Sequence, residues 1–180
     1  MFRRLMREVL VPVAVAFALA FVIQAAVAKP YEIPTESMVP TIKANDKIIA
    51  NRLIYRFRDI ERGDIIVFTP PPSARATCGE PMGDVPFVKR VIGLAGDRVE
   101  VRGGVTYVNG TPFVVKAARR PSYTMPPVVV PKGQLFVLGD NRDGSCDSHQ
   151  WTPSRFVPTS SVIGEAEITY WPLDHIAFLN

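Results

Sequence analysis

The stretch Ile33-Pro34-Thr35-Glu36-Ser37-Met38-Val39-Pro40 sets one serine between two prolines, with a threonine two residues before it. A serine hydroxyl is a weak nucleophile until a base stands beside it. The histidines are His149 and His175, which leave a Ser-His-Asp arrangement as one alternative, although no GxSxG elbow accompanies it. Lysine is the other candidate. Its ordinary pKa of about 10.4 keeps it charged at neutral pH, and bringing it to about 7–8 takes roughly 4 kcal/mol of desolvation. A lysine that serves as a base should therefore sit in an apolar strand. The run Val85-Pro86-Phe87-Val88-Lys89-Arg90-Val91-Ile92-Gly93 offers one. Side chains of a strand alternate, so Lys89 shares a face with Phe87 and Val91, and Arg90 shares the other with Val88 and Ile92. Alternation does not say which face is inside, and an edge strand with two solvated cations is the plain alternative. Arginine does not deprotonate in proteins, so of the two only Lys89 can act as a base.

A third polar cluster, Gly139-Asp140-Asn141-Arg142-Asp143-Gly144-Ser145-Cys146-Asp147-Ser148-His149, follows an apolar run. It has the look of a calcium loop, but Gly139 and Gln150 would fall on its first and last ligand positions and suit neither. It reads either as a self-satisfied turn or as a hydrogen-bonded loop that orients a neighbouring side chain.

These residues need elements to hold them. Beyond Lys29 no segment has the pattern of an amphipathic helix. Short apolar runs recur instead: 47–50, 64–68, 87–94, 98–101, 105–108, 128–130, 134–138 and 162–170. Gly, Pro, Asn and Asp punctuate them, and the chain holds 17 prolines. Gly103-Gly104 and Asn109-Gly110 predict two tight turns in a hairpin over 99–113. The segments 69–86 and 116–131 read as loops, and 98–131 as a small outlying lobe. The expected fold is mainly β: a curled antiparallel sheet or partly open barrel with a small hairpin lobe.

The N-terminus carries Arg3, Arg4 and Arg7, followed by an apolar run over 9–28 broken only by Pro12 and Gln24. About 20 apolar residues suffice for a transmembrane helix, and the preceding arginines predict that residues 1–8 stay cytoplasmic while 29–180 are exported. Ala26-Val27-Ala28 also has the form of a signal-peptide cleavage site, though the run is longer than the usual apolar core of a removed signal. Eight residues separate Ala28 from Ser37. Fully extended they reach about 30 Å, so Ser37 works close to the bilayer surface. The net charge of +4 has no basic stripe and no nucleic-acid motif; it fits membrane topology and attraction to anionic lipid, with no nucleic-acid partner. Two cysteines, Cys78 and Cys146, are too few for a zinc site and have no ligand spacing with the histidines. They are a disulfide if the domain lies outside the cytosol, or two thiols.

Taken together, "PTESMVPTI", "GDIIVF" (63–68), "KRVIGLAGD" (89–97), "GDNRDGSCDSH" and the ending "IGEAEITYWPLDHIAF" resemble, in order and spacing, the conserved boxes of the type I signal peptidases (leader peptidases). These are membrane-bound Ser/Lys endopeptidases. The resemblance spans nearly the whole exported part. It implies a monomeric enzyme of the bacterial cytoplasmic membrane that removes signal peptides from pre-proteins after small-x-small sites and needs no metal or cofactor. By the same resemblance Ser37 is the nucleophile and Lys89 the general base. Thr35 and the Ser37 N–H form the oxyanion hole, and Ser145 orients the lysine. Asp140, Arg142 and Asp147 brace the loop, and Tyr31, Ile33, Phe87 and Val88 line the pockets for small side chains. The chain departs from the family pattern at Glu36, Ala95 and His149, the last standing where an arginine usually ends the box. A protonated His149 would make the brace pH-sensitive, and a Cys78–Cys146 bridge would tie the 69–86 loop to the site. A specialised peptidase for one exported substrate and a catalytically inactive membrane-tethered β module are the competing readings.

Overall fold

The computed structural model describes residues 6–17, 27–79 and 85–179. A π-helical turn, Met6–Leu10, leads into a helix over 11–17 whose apolar side chains are exposed. The middle of the expected transmembrane span, 18–26, lies outside the described residues, as does Ala26 of the small-x-small triplet. Among the described residues no helix is long and apolar enough to cross a membrane.

Among the described residues twelve strands follow: β1 (Ala28–Glu32), β2 (Lys47–Asn51), β3 (Ile65–Phe68), β4 (Phe87–Gly93), β5 (Arg98–Arg102), β6 (Val105–Val108), β7 (Thr111–Pro112), β8 (Met125–Val129), β9 (Gln134–Leu138), β10 (Val157–Pro158), β11 (Val162–Trp171) and β12 (Ala177–Phe178). The larger sheet runs β1-β2-β11-β3-β4-β9-β10, with β12 added to β11; the smaller runs β7-β6-β5-β8. Every pairing in both is antiparallel.

Sequence and structure agree closely at the turns. Arg102 pairs with Val105, leaving Gly103-Gly104 as a two-residue loop with φ of 57° and 75°. Asn109-Gly110 closes the next hairpin with φ of 54° and 79°. Both are left-handed at each central residue, as the twist of paired strands favours. Three elements differ from expectation. Pro72–Cys78 is a short helix inside the expected 69–86 loop, begun by a proline at its first position and seated on buried Ser73 and Ala74. Its two turns are too short to leave a periodic signal. Strand β8 contains Pro126 and Pro127, which sequence reading assigns to a loop; β8 is an edge strand, where a missing N–H costs no ladder bond. Strand β1 begins at Ala28, a residue counted in the expected span.

Strand β4 decides the placement of the site. It lies between β3 and β9, and Val88 to Gly93 are all buried. The alternative of an edge strand with solvated cations does not hold, because both faces of β4 are covered. Phe87 and Val91 join a core of Ile66, Phe68, Val137 and Trp151. Val88 packs with Ile33, Met38, Ile48 and Val67. Ile92 joins Phe136 and Leu138 with Val99, Val101 and Val130, where the smaller sheet meets the larger.

Gly93 stands at a register shift between β4 and β9. A Cβ there would lie 2.7 Å from Val99 Cγ2 and 3.0 Å from Val130 Cγ2, so the two sheets approach each other across a missing side chain. Gly93→Ala is expected to lower stability by about 1–3 kcal/mol in denaturant titration, the usual cost of overpacking a core.

Candidate active site

Residues 33–42 leave β1 and run over the sheet, with Ile33, Met38 and Ile42 buried as anchors. The anchors on either side hold Ser37 in place between them. Ser37 is 8% exposed, and its Oγ accepts a hydrogen bond of 2.6 Å from Lys89 Nζ. Lys89 pairs across the ladder with Ile66 and its ammonium sits 5.6 Å from the Phe87 ring centroid. Burial pushes the amine from its ordinary 10.5 down to about 8, against the opposing pull of the Asp147 and Asp140 carboxylates. Thr35 Oγ1 donates to Ser37 Oγ at 3.2 Å. The Ser37 N–H donates to no group among the described residues.

Arg90, one residue on and on the opposite face, is also buried, and its charge is fully met. Its Nε and Nη2 fork onto Asp140 at 2.9 and 2.6 Å, while Nη1 donates to the Gly63 carbonyl at 2.7 Å. Asp140 also accepts the Thr41 hydroxyl. The fork therefore ties β4, the loop after β9 and the segment after Ser37 to one another.

The loop after β9 does the rest of the positioning. Asn141 holds the backbone around Ser37: its N–H donates to Ser37 O at 3.1 Å and its Nδ2 to Glu36 O at 3.1 Å. Arg142 donates to Gly139 O at 3.0 Å and to Thr106 Oγ1 at 2.9 Å, joining the loop to β6 of the smaller sheet. Asp147 is fully buried and accepts the Gly139 N–H at 2.8 Å and the His149 N–H at 3.2 Å. Ser145 is 2% exposed, and its Oγ has no hydrogen-bond partner among the described residues. It lies against Gly139 Cα, on the same side as Ser37 O.

Neither histidine reaches Ser37. The His149 ring is bonded to Asp147, and the His175 ring lies between Asp46 and Lys43, each at 2.7 Å. This removes the Ser-His-Asp alternative.

A cleft of about 360 Å³ opens over Ser37 and Lys89. Ile33, Phe87 and Val88, three of the four expected pocket residues, line it; Tyr31 packs on the core cluster around Ile33 instead. Another wall is the Cys78–Cys146 disulfide, which joins the short helix to the residue after Ser145. Trp151 Nε1 donates to Cys78 Sγ at 3.2 Å. Sequence reading had missed Gly139, Asn141 and Arg90 as positioning residues. The first two lie inside the motif that draws attention, but their contacts with Glu36 and Ser37 cross more than 100 positions of the chain, and spacing carries no sign of them.

A family model described as "Signal peptidase, peptidase S26" matches residues 6–171. The probable signal peptidase I-2 of Synechocystis sp. is 42% identical over 166 residues, covering 92% of this chain and 73% of that protein. Signal peptidase I of Leptolyngbya laminosa is 38% identical over 169 residues, covering 93% and 81%. Thylakoidal processing peptidase 1, chloroplastic, of Arabidopsis thaliana is 39% identical over 163 residues, covering 87% and 46%.

A Cβ on residue 139 would collide with Ser145 Oγ and with the Ser37 carbonyl oxygen, one of them on the backbone. Gly139→Ala is expected to cut hydrolytic activity at least about a hundredfold by displacing the nucleophile. Far-UV circular dichroism should stay that of a folded β protein. An active Gly139→Ala enzyme would show that this close approach is not needed.

Proposed function

The chain belongs to the signal peptidase family, peptidase S26, and on that premise we propose that it cleaves exported pre-proteins with Ser37 as nucleophile and neutral Lys89 as general base. It is a serine endopeptidase that removes signal peptides. The observation that carries the finer reading is the 2.6 Å contact between the Lys89 amine and the Ser37 hydroxyl in a buried setting. A lysine in water would be protonated and could not accept the serine proton; one walled off by β3 and β4 is uncharged in a useful fraction near pH 8.

Lys89 takes the Ser37 proton as Oγ attacks the scissile carbonyl. The unengaged Ser37 N–H and the rotatable Thr35 hydroxyl face the developing oxyanion. Lys89 then protonates the departing amine and activates the water that releases the acyl-enzyme. Ser145, whose buried hydroxyl has no hydrogen-bond partner among the described residues, is free to accept from the amine and hold it in line. The apolar lining of the cleft, with Ile33, Phe87 and Val88, supports small side chains at the first and third positions before the cut. The apolar run that starts at residue 9 and ends before β1 anchors the chain as a single span with its N-terminus cytoplasmic, and the enzyme acts as a monomer beside lipid. Sharing one membrane with the substrate raises their effective concentration. The membrane is the bacterial cytoplasmic membrane or, as the Arabidopsis relative's name suggests, a thylakoid.

The test is hydrolysis of an Ala-x-Ala pre-protein by the full chain in detergent. Ser37→Ala and Lys89→Arg are each expected to lose at least about a thousandfold in kcat. Wild-type kcat/KM should rise with pH and level off above about 8. Undiminished cleavage by either variant would sink the assignment.

Stability should also rise with pH, over a higher range than activity. The folded amine titrates at about 8 and the unfolded one at 10.5, so between those values the unfolded chain binds more protons and stability rises with pH. Below about pH 8 the protein carries the whole desolvation cost, roughly 3 kcal/mol. Lys89→Met is therefore expected to be inactive yet more stable than wild type at pH 7 by about 1–3 kcal/mol, with the gap closing toward pH 10.

A further inference from the structure

Two carboxylates stand in the loop beside the Lys89 amine: Asp140 is gripped by Arg90, the next residue of β4, and Asp147 accepts the N–H of Gly139, which lies against the Ser37 carbonyl; both charges favour the protonated amine. Their own partners differ in kind. Asp140 is forked by Arg90, a cation at every accessible pH. Asp147 has no such fork. Its Oδ2 takes a backbone N–H, and its Oδ1 takes the main-chain N–H and ring Nδ1 of His149, the ring at 2.6 Å. The family resemblance puts an arginine where His149 stands, so this chain has a titratable partner in place of a fixed one.

The histidine is held firmly. Its ring stacks on Tyr123 at 4.0 Å between centroids and 6° between planes, its side chain is 9% exposed, and its carbonyl accepts from Arg155. Tyr123 is a neutral platform, since burial and then the Asp147 charge push its phenol well above the ordinary range. Among the described residues the charged or titratable groups facing this pair are few. Asp147 lies on the same loop, Tyr123 in the segment before β8, and Arg155 before β10. Arg142 and Lys89 reach Asp147 through space, and Asp143 accepts the Ser122 N–H beside Tyr123. Arg142 donates to a carbonyl and a hydroxyl, and among the described residues to no carboxylate.

We propose that His149 is a positioning residue whose charge, carried through the Asp147 carboxylate, sets how readily Lys89 gives up its proton. This rests on the reading of Lys89 as the general base. With a neutral imidazole, Asp147 acts on Lys89 as a full negative charge and holds the ammonium. With an imidazolium, the Asp147 charge is largely cancelled and the amine is released more easily. An imidazolium beside Asp147 thus keeps some Lys89 neutral where an unpaired Asp147 would suppress it. The coupling is mutual: a charged Lys89 must also make His149 harder to protonate.

Two measurements on the full chain in detergent decide it. The first is the pH profile of kcat/KM. His149→Arg fixes the cation and is expected to move the rising limb to lower pH by about 0.5–1.5 units. His149→Gln keeps a donor without a charge and should leave the limb at or above the wild-type position. Variants that lower the plateau without moving the midpoint would mean a merely structural role and overturn the proposal. The second is the NMR titration of the His149 ring, for which His175 is the other histidine signal to assign. Its midpoint is expected to rise in Lys89→Met, and an unchanged midpoint overturns the coupling whatever the activities do. If Lys89→Met still cleaves pre-protein, it is the base assignment that fails, and the ring titration still reports the coupling separately.

Discussion

A lysine amine buried against a serine hydroxyl is the constraint from which the rest of this structure follows. Removing water from Lys89 is costly, and among the described residues no direct ion pair offsets it; the amine meets a hydroxyl and an aromatic ring. A strand at the centre of a sheet, covered on both faces, is where such a group can be kept dry. The main sheet can thus be understood as the means of desolvating one side chain.

The same strand buries a second cation, and the contrast between the neighbours is instructive. Arg90 keeps its charge and is answered by a full carboxylate fork, so it stiffens the site without chemistry. Lys89 is left short of a counter-ion, so its proton is loosely held. Adjacent residues on opposite faces of β4 divide the work: one fixes the loop after β9, and the other uses what that loop presents. The loop serves both, since Asp140 meets Arg90, Asn141 holds the backbone of Ser37, and Gly139 allows Ser145 to lie close.

Ser37 and Lys89 stood out in the residue string, one set between prolines and the other in an apolar run, but that run read equally as an edge strand, and it was the resemblance to a family that paired the two side chains that meet here. The β class and the glycine turns were legible directly: Gly103-Gly104 and Asn109-Gly110 carry their backbone geometry in their composition. What stayed hidden depends on long-range packing. Alternation along β4 could not say that both faces are covered. Nothing local marks Pro126 and Pro127 as an edge strand, or Pro72–Cys78 as a helix. The two cysteines were left between thiols and a bridge, since a separation of 68 residues says nothing about distance. Asn141 is a polar residue in a polar turn until the main chain at Glu36 and Ser37 is placed beneath it.

The bridge from Cys78 to Cys146 gives the cleft one boundary of a different character from the others. Side chains such as Phe87 and Val88 can rotate to admit a larger guest, whereas a covalent strut seated on Trp151 cannot recoil. A channel with one immovable bank measures what enters it by collision, as a gauge does, rather than by attraction. On the proposed reading of the cleft, that bank turns bulky residues away without any need for small ones to be held tightly.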